Sequence, residues 1–411
     1  MIIRAKPESA NYSQSAGPPS NAEIRVCQTL AELRDLKPAW DRLLSQYPHS
    51  TTFCTWEWLS TWWSNFGSGR QLWVLAFFDP TLDPDALIGL APLSIAKEPM
   101  GWKSFRIVRL MGDGSGDSDN LDIPVIPGYE LCVSRSLAKF LLASSSKWDM
   151  CLFNTMPPDS HVGRTLKELL STSPWASFCH QTPASLIPLP RTWGEYEQRI
   201  SSEDRKNLLR YRRRLEARYA TKIYRCTSQV ELPTIIEALF RLHQSRWNTA
   251  GQPGSFADPR RRAFYTQLSA ELLARNWLEL WVLTLDGEIA AVQFAFRFGD
   301  RVFQLQEGYD RMRSSDRPGY VLRGEILKHL ISNGVCVYDF LGGEDPYKAR
   351  WGAQRRSYSQ VHFALKNGIP GLWLTMNKKF GKGKENMRAT LPPSVWQALH
   401  KVNVALRRSH Q

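Results

Sequence analysis

The stretch LELWVLTLDGEIAAVQFAF, residues 278–296, decides the fold of this chain. Two apolar runs rich in β-forming residues flank Asp286-Gly287, and Asp-Gly in that setting is the strongest short-range signal for a β-hairpin. A turn at Gly299-Asp300 then leads into a third predicted antiparallel strand, residues 301–309. The pattern therefore predicts a mostly antiparallel sheet in the second half of the chain.

A helix and a further strand follow this sheet. Arg317-Pro318-Gly319 precedes a helix with apolar residues on one face, and Asn333-Gly334 ends that helix as a C-terminal cap does. Residues 335–341 then read as a buried strand. The first amides of a helix lack internal partners, the helix dipole adds partial positive charge, and glycine lets a phosphate approach the backbone. The turn before this helix is therefore predicted to bind an anion.

The order of these elements resembles the acyl-CoA-binding core of the GNAT N-acyltransferase superfamily, whose pyrophosphate loop lies between its fourth strand and the following helix. The ending YDFLGG (338–343) and DPYKARWG (345–352) is similar to that of the CelD/BcsL-type acetyltransferases, which are BioF2-like and FemAB-related. That ending is the more specific signal, because the loop carries a single Pro-Gly. The resemblance covers most of residues 24–366. It implies an α/β (α+β) fold of two tandem GNAT-like units, each a mixed, mostly antiparallel sheet flanked by helices.

Composition indicates a basic globular protein. A length of 411 residues suits two domains, and an apolar content of 43% is ample for two cores. The formal net charge of +14 is expected to attract anions such as CoA, nucleic acid, acidic glycans or anionic lipid. A basic enzyme without a polyanionic partner is an equal alternative. Seven scattered cysteines with no CxxC pair favour reduced thiols in a cytoplasm-like compartment, with neither a disulfide framework nor a metal site.

The predicted organisation has five parts. They are a disordered tail (1–22), an N-terminal GNAT-like domain (23–190), a basic connecting helix (191–220), a C-terminal GNAT-like acyltransferase domain (221–369) and a basic C-terminal extension (370–411). No apolar run approaches the roughly 20 residues needed to span a bilayer. We therefore expect a cytoplasmic protein without a transmembrane segment, with the inner membrane face as a peripheral location.

The connecting helix, residues 201–218, is strongly basic. Leu208, Tyr211 and Leu215 form a narrow apolar stripe, which arginines and lysines surround. One interpretation is a contact face for phosphate or RNA, and the other is a solvated helix docked through its stripe. The resemblance favours a role in binding an anionic substrate. The lysine-rich C-terminal tail is a second candidate contact, in its case with an anionic membrane surface.

The segment GDGSGDSDNLD, residues 112–122, is acidic. No helix opens on its glycines, as a dinucleotide site requires, and it lacks the spacing and closing glutamate of an EF-hand. The resemblance gives it a different meaning, because related acyltransferases carry a D-x-x-D stretch facing the cleft between their two domains. Asp119 and Asp122 match that stretch, and such a pair is suited to hold or deprotonate an amine.

Acyl transfer from a thioester to an amine needs a polarised carbonyl, a neutral amine and close positioning of the two. A backbone amide at a break in the third strand, around residues 306–309, is expected to polarise the carbonyl. Glu307 is the best local candidate for the general base, with a surface carboxylate as the equal alternative. Asp339 lies in an otherwise apolar strand, where a carboxylate needs a partner, and the predicted partners are Lys348 or Arg350.

The resemblance adds further site residues. In Fem-related enzymes a lysine in the corresponding loop binds a phosphate and helps to stabilise the oxyanion, and Lys348 matches it, which gives Glu307, Asp339 and Lys348 as the catalytic candidates. The residues assigned to the acyl-CoA pyrophosphate are Arg317, Gly319 and Tyr320. The residues assigned to the acceptor are Asp119, Asp122, Tyr309, Tyr347, Arg350 and Trp351.

The sequence thus predicts an N-acyltransferase that moves an acyl group from acyl-CoA, acetyl or longer, to a small-molecule or glycan-linked amine. A place in exopolysaccharide or cell-envelope metabolism is implied by the resemblance alone. One alternative is Fem-like aminoacyl transfer from charged tRNA, which the basic helix favours, and another is a non-catalytic module that binds nucleic acid or a membrane surface. Serine, cysteine–histidine and metal hydrolases are disfavoured, because GxSxG, HExxH and paired-cysteine motifs are absent.

Overall fold

The computed structural model describes residues 22–376, except 84, 101–102, 173 and 250–253. The predicted disordered tail, apart from residue 22, and the extension beyond residue 376 lie outside the described residues. The strands are β1 (Glu23–Cys27), β2 (Arg70–Leu72), β3 (Val74–Phe78), β4 (Leu87–Ala91), β5 (Leu93–Met100), β6 (Lys103–Leu110), β7 (Met150–Met156), β8 (Trp175–Pro188), β9 (Thr221–Arg225), β10 (Leu278–Leu285), β11 (Glu288–Phe298), β12 (Arg301–Tyr309), β13 (Val337–Gly342) and β14 (Gln354–Leu365). The helices are α1 (Leu30–Asp35), α2 (Lys37–Gln46), α3 (Trp56–Phe66), α4 (Glu130–Ala143), α5 (His161–Leu169), α6 (Trp193–Arg199), α7 (Ser202–Arg218), α8 (Leu232–Thr249), α9 (Pro259–Ala274), α10 (Pro318–Ser332) and α11 (Pro346–Arg350).

Most strands belong to one large sheet, in the order β2-β5-β6-β7-β14-β8-β13-β12-β11-β10-β9, while β1, β3 and β4 form a small second sheet. The predicted hairpin is confirmed: β10 and β11 are antiparallel, and Asp286 and Gly287 have φ of 53° and 85°, as a type I′ turn requires. β12 runs antiparallel to β11, and β13 returns parallel to β12. The fold is therefore mixed α/β, with a mostly antiparallel sheet flanked by helices, as predicted.

The two halves of the chain share this sheet by exchanging strands. β14, from the end of the second half, lies between β7 and β8, while β8, from the first half, pairs with β13. The sequence pattern does not predict β14, whose polar residues alternate only weakly with apolar ones. The domain boundaries at 190 and 221 stay predictions, and the strand just before residue 190 hydrogen-bonds to strands of the second half.

The basic helix α7 docks on the second half through its apolar stripe. Leu215 is fully buried, and Leu208 and Tyr211 pack against the core formed by α10 and the sheet. At Gly324 of α10, an added Cβ would lie 2.6 Å from Leu208 Cδ2, so the missing side chain lets the two helices approach. Burying the Leu215 side chain contributes about 2 kcal/mol to folding. Within the described residues, no helix is both long and apolar enough to cross a membrane.

Candidate functional site

The strands β12 and β13 run side by side only along their first residues. Their parallel register ends where Phe303 lies opposite Asp339, whereas β13 pairs on its other side with β8 from Val337 to Gly342. A bulge in β12, where Leu305 has no counterpart between the pairs Gln304–Ala295 and Gln306–Phe294, turns β12 at the same level. The strands therefore diverge toward their carboxyl ends, which leaves a cleft between them. The predicted break in β12 lies at this bulge, just before residues 306–309.

Glu307 lies on β12 beside this cleft and forms an ion pair with Arg323 of α10. Arg323 is 4% exposed, and its guanidinium carbon lies 5.3, 5.3 and 5.5 Å from the ring centres of Phe340, Tyr347 and Trp351. Burial lowers the pKa of Arg323, but the Glu307 carboxylate outweighs it, so the pKa is raised overall. Glu307 is thus held by a permanent cation and must leave this pair to act as a general base.

Asp339 is fully buried on β13 and is paired with Arg356, whose Nη1 lies 3.0 Å from Oδ2. The Leu341 amide donates to Oδ1 at 2.8 Å. Burial raises the pKa of Asp339, and the Arg356 charge opposes that rise. The predicted partners, Lys348 or Arg350, are wrong. Arg356 takes their place because it lies on β14, which enters the sheet beside β8 and so comes close to β13.

Lys348, at 4% exposure, holds the turn that follows β13. Its Nζ donates to the carbonyl oxygens of Phe340, Gly342 and Gly343 at 3.4, 2.8 and 3.1 Å. Burial lowers the pKa of Lys348, and three nearby carboxylates oppose that change. Leu341, near the end of β13, lies in the left-handed region at φ 61°. The hydrogen bonds around it must offset the energetic cost of this conformation. Lys348 must give up one of these hydrogen bonds to a backbone carbonyl before its ammonium group can contact a substrate.

Asp119, from the acidic segment of the first half, reaches the same turn. Its Oδ2 accepts a hydrogen bond from the Gly342 amide at 2.9 Å. Burial raises the pKa of Asp119 to about 6, with the Gly342 amide, Lys348 and Arg356 acting in the opposite direction. The structure therefore brings Asp119, Asp339 and Lys348 together from three separate segments. We call this group the central polar cluster.

Three residues that hydrogen-bond around this cluster, Asn120, Arg356 and Tyr358, are missed by sequence reasoning. Asn120 accepts from Arg356 Nη2 at 3.1 Å and donates to the Tyr358 hydroxyl at 3.2 Å, which ties the acidic segment to β14. Tyr358 is 1% exposed, so this network is closed off from solvent on that side. The only local signal is the position of Asn120 beside Asp119, and nothing near Arg356 or Tyr358 in the sequence indicates their partners.

Asp122 lies elsewhere, inside the first half. It is 2% exposed and accepts hydrogen bonds from the Tyr47 hydroxyl, from Ser160 Oγ at 2.7 Å and from the Ile123 amide at 2.8 Å. Burial raises the pKa of Asp122 to about 6. Asp117 is likewise paired, with Arg261 of α9 at 2.8 Å. Most of the acidic segment therefore fastens neighbouring elements, and Asp119 is the aspartate that faces the central polar cluster.

The remaining predicted acceptor and donor residues divide into packed and exposed ones. Trp351 is 2% exposed, and Tyr320 packs against it with ring centres 4.6 Å apart. The Tyr320 hydroxyl donates to a backbone carbonyl of α7 at 3.3 Å, and burial raises its pKa to about 12. Tyr309 is half-buried beside Gly319, whereas Tyr347 and Arg350 are exposed. Tyr320 therefore connects α10 with α7 and packs against Trp351, whereas Tyr347 and Arg350 lie at the surface.

A pocket of about 570 Å³ lies between α7 and the turn that precedes α10. Its lining contains no carboxylate and consists of Arg210, Tyr211, Arg214, Ser314, Ser315 and Arg317. We call it the cationic pocket. Arg317 is the N-terminal cap of α10, at φ 58°, and its carbonyl accepts from the amides of Tyr320 and Val321. Positive side chains, hydroxyl groups and the start of a helix thus converge on one site suited to phosphate.

Residues 202–349 match the acetyltransferase (GNAT) domain family. This part of the chain is therefore similar to GNAT acetyltransferase domains, and we call residues 202–349 the GNAT domain. The fold is similar to that in the crystal structure of FemX, with a TM-score of 0.55 and 12% sequence identity. The alignment covers 82% of this chain and 96% of the FemX chain. It is also similar to the crystal structure of a conserved protein of unknown function from Bacteroides thetaiotaomicron VPI-5482, with a TM-score of 0.51 and 13% sequence identity. That alignment covers 84% of this chain and 100% of the other. These likenesses show a shared fold, and no curated protein sequence matches the chain.

Within the GNAT domain, only some of the basic side chains of α7 are paired with carboxylates in the described part of the chain. Arg212 is paired with Glu216 and Glu325, whereas Arg214 and Arg218 are paired with the buried Asp316. These pairs fix α7 to α10 and to the turn before it. The other basic side chains of this helix, Arg205, Lys206, Arg210 and Arg213, have no carboxylate partner among the described residues, and Arg210 lines the cationic pocket.

The cationic pocket lies on the connection that follows β12, the strand that separates from β13 toward its carboxyl end. At Gly319 an added Cβ would lie 3.5 Å from the Tyr309 ring, an ordinary contact, so the glycine is not required there by space. Among the described residues, no group of three or more His, Cys, Asp and Glu side chains is placed to hold a metal ion.

Proposed function

We propose that this protein is an N-acyltransferase that takes its acyl group from acyl-CoA and transfers it to an amine acceptor. The observation that carries the proposal is the cationic pocket at the start of α10, on the connection that follows the diverging strand β12. A cytoplasmic enzyme of exopolysaccharide or cell-envelope metabolism, with peripheral contact at the inner membrane face, is the biological setting that we propose with it.

The donor phosphates are proposed to bind in the cationic pocket. Arg210 and Arg317 supply positive charge there, Arg214 is already paired with Asp316, and Ser314 and Ser315 supply hydroxyl donors. The amide of Gly319, in the first turn of α10, supplies a backbone donor with the positive end of the helix dipole behind it. Charge-assisted hydrogen bonds of this kind are about twice as strong as neutral ones, which suits a doubly charged pyrophosphate.

The acceptor amine is proposed to lie near Asp119. A carboxylate whose pKa is raised to about 6 holds the ammonium group and takes one proton from it, so that the neutral amine attacks the thioester carbonyl. The C–S bond then breaks as the amide forms, and the CoA thiolate takes the second proton that the attacking nitrogen loses. The bound donor supplies the thioester carbonyl. Lys348, once one of its carbonyl bonds is exchanged, adds positive charge where the carbonyl oxygen becomes negative. Asp339 and Arg356 hold the turn in place, and Glu307 is the alternative base if its pair with Arg323 opens.

Fem-like aminoacyl transfer from charged tRNA is the second candidate function. The observation that favours it is the set of outward basic side chains on α7 without a carboxylate partner in the described part of the chain, Lys206, Arg210 and Arg213 among them. Phosphates of RNA are bound by the same chemistry as those of CoA, but the affinity for RNA falls much more steeply with salt. A non-catalytic module that binds nucleic acid or a membrane surface through α7 is the third.

Thermal unfolding with each ligand separates these functions. The ligands are added separately and are acetyl-CoA, longer acyl-CoAs, CoA and bulk tRNA. A ligand that binds only the folded state raises the midpoint temperature. At 100 times its Kd it adds about 2.7 kcal/mol to the free energy of unfolding. A rise with acyl-CoA and CoA supports the proposal. A rise with tRNA alone shifts the function to aminoacyl transfer, and no rise with any of them leaves the binding module.

Gly319→Asp locates the donor site. Space near Tyr309 accommodates the new side chain, and a carboxylate in the first turn of a helix is favourable, so the variant is expected to fold. It places negative charge two residues from Arg317, which should weaken CoA binding about tenfold or more. Gly319→Ala is the matched control and should keep its affinity. Equal CoA affinity in both variants would move the donor phosphates away from this turn.

A further inference from the structure

A second pocket, also about 570 Å³, lies in the first half, away from the GNAT domain's cationic pocket. It opens between the start of α5 and the strands β8 and β14. Its lining holds no carboxylate and consists of Pro157, Pro158, Ser160, Gly163, Arg164, Lys167, Cys179, His180, Gln181, Ser359, Gln360 and Val361. We call it the α5 pocket. Two permanent cations, an imidazole and several hydrogen-bonding groups make it polar and positively charged.

The α5 side of this pocket is one face of the helix. Ser160, Gly163, Arg164 and Lys167 recur at spacings of three and four residues, so they lie above one another. Ser160 is the N-terminal cap: its Oγ accepts from the Gly163 amide at 2.9 Å and donates to Asp122 at 2.7 Å. Asp122 therefore fixes the start of α5, and with it the face that carries the two cations.

The other side of the α5 pocket is formed by two paired strands. Antiparallel register places His180 opposite Gln360 and Gln181 opposite Ser359. The register of β14 with β7 shifts at Ser359, and the chain leaves β7 at Pro157. The sheet is thus interrupted beneath α5, which creates the opening, and the polar side chains at its floor are suited to donate hydrogen bonds to an oxyanion.

The α5 pocket is connected to the central polar cluster along β8 and along the acidic segment. Ala184, the partner of Gly342, lies three residues from Gln181, a distance of roughly 10 Å along a strand. The acidic segment covers the same interval: Asp119 contacts Gly342, and three residues later Asp122 contacts the start of α5. The two sites therefore lie on the order of 10 Å apart along the chain.

We propose that the α5 pocket is an anion subsite for the acyl acceptor, which binds a phosphate or carboxylate carried on the order of 10 Å from the reacting amine. The acceptor's part in this rests on the proposed transfer reaction, whereas anion binding does not. Arg164 and Lys167 supply the charge, and Gln181 and Ser359, which share the face of the sheet toward α5, supply hydrogen bonds. A lining without carboxylates disfavours a cationic ligand, and its polarity disfavours an acyl chain.

Cys179 gives a readout confined to this pocket, because it lines the α5 pocket and is half-buried, whereas Cys336 is exposed elsewhere. The full-length protein is alkylated with iodoacetamide at constant ionic strength, and the rate at each cysteine is followed by peptide mass spectrometry. Inorganic phosphate and succinate are added separately as probes. We expect at least one of them to slow alkylation of Cys179 about fivefold or more, with Cys336 unchanged, since a bound anion covers the lining.

The double variant Arg164→Ala/Lys167→Ala tests the site itself. Both side chains are exposed on α5, so folding should persist, and the concentration for half-protection should rise about tenfold or more. Lys97→Ala/Arg135→Ala is the matched control, because it removes two exposed positive charges from the same half without touching the pocket. Protection should be unchanged in this control.

Each outcome decides between site and no site. Protection by phosphate alone or by succinate alone supports the subsite and assigns the acceptor to phosphates or to carboxylates. Equal protection in the wild-type protein and both variants, loss of protection in both variants, no protection by either probe, or a Cys179 that does not react at all would each overturn it. Anion protection in a protein that transfers no acyl group would keep the subsite while removing the proposed reaction.

Discussion

Asp119→Asn should make the protein more stable at neutral pH and less active. The Asp119 side chain is half-buried, and its one hydrogen bond in the described part of the chain comes from the Gly342 amide. Burial raises its pKa from 3.8 to about 6, so keeping it ionised in the folded protein costs free energy. Asparagine has nearly the same shape, keeps an oxygen acceptor for Gly342, and removes the buried charge.

The size of the effect follows from the pKa difference. The rise in the pKa of Asp119 from 3.8 to about 6 corresponds to a loss of about 3 kcal/mol in the free energy of unfolding at pH 7 and above, which is an upper limit. Replacing a charge-assisted hydrogen bond by a neutral one returns about 1 kcal/mol. We therefore expect Asp119→Asn to raise the free energy of unfolding by about 1–2 kcal/mol at pH 7.5.

The direction of the pKa shift decides whether the stability of the wild-type protein rises or falls with pH. Because the folded-state pKa of Asp119 lies above the unfolded value, the folded protein binds more protons between pH 3.8 and about 6. Wild-type stability should therefore fall as the pH rises through this window, and the variant should lack this contribution. Below pH 3.8 the carboxyl is neutral in both states, so the difference between the two proteins should vanish.

Urea unfolding followed by tryptophan fluorescence from pH 3.5 to 8, together with turnover of an acyl-CoA and an amine, measures both effects. Asp122→Asn is the matched control, since the pKa of Asp122 is also raised to about 6, but its carboxylate accepts hydrogen bonds from Tyr47, Ser160 and Ile123. Because three hydrogen bonds to a charged group are weakened instead of one, that variant should gain less stability than Asp119→Asn. Turnover of Asp119→Asn should fall about 100-fold or more if Asp119 is the base. Wild-type stability at pH 7.5 together with wild-type turnover would refute both arguments.

Three further substitutions test the central polar cluster and its support. Lys348→Ala should lower transfer about 100-fold or more while the protein still folds, and wild-type turnover would remove Lys348 from the mechanism. Arg356→Met should cost about 3–5 kcal/mol in urea unfolding because it leaves Asp339 buried without its partner, and a change below 1 kcal/mol would contradict that pairing. Gly308→Ala should cost about 1–3 kcal/mol, since its Cβ would lie 2.7 Å from a backbone nitrogen of α8, whereas Gly194→Ala, with open space around it, should be neutral.

The first half shows why an acidic pattern misleads. Asp119 and Asp122 share one segment and one motif, yet only Asp119 faces the central polar cluster, because Asp122 is enclosed by Tyr47 and Ser160. Spacing along the chain does not state which element packs against which carboxylate. Asp117 makes the same point, since its partner Arg261 lies 144 residues away.

What the sequence by itself determined is local. The hairpin at Asp286-Gly287, the helix that begins after Arg317 and the apolar stripe of α7 all follow from turn chemistry and periodicity, which act between residues close together in the chain. The order of the elements also predicted a GNAT-like fold in the second half, and residues 202–349 match that domain family.

Only the tertiary structure decided which distant groups meet. β14 enters the sheet between β7 and β8, and this exchange brings Arg356 to Asp339 and Tyr358 to Asn120. The same packing sets α7 against the start of α10 and so forms the cationic pocket. The physical reason is that a buried charge takes whichever partner the fold delivers, and the energy of that pairing depends on distance in space and on burial, neither of which is written in the order of residues.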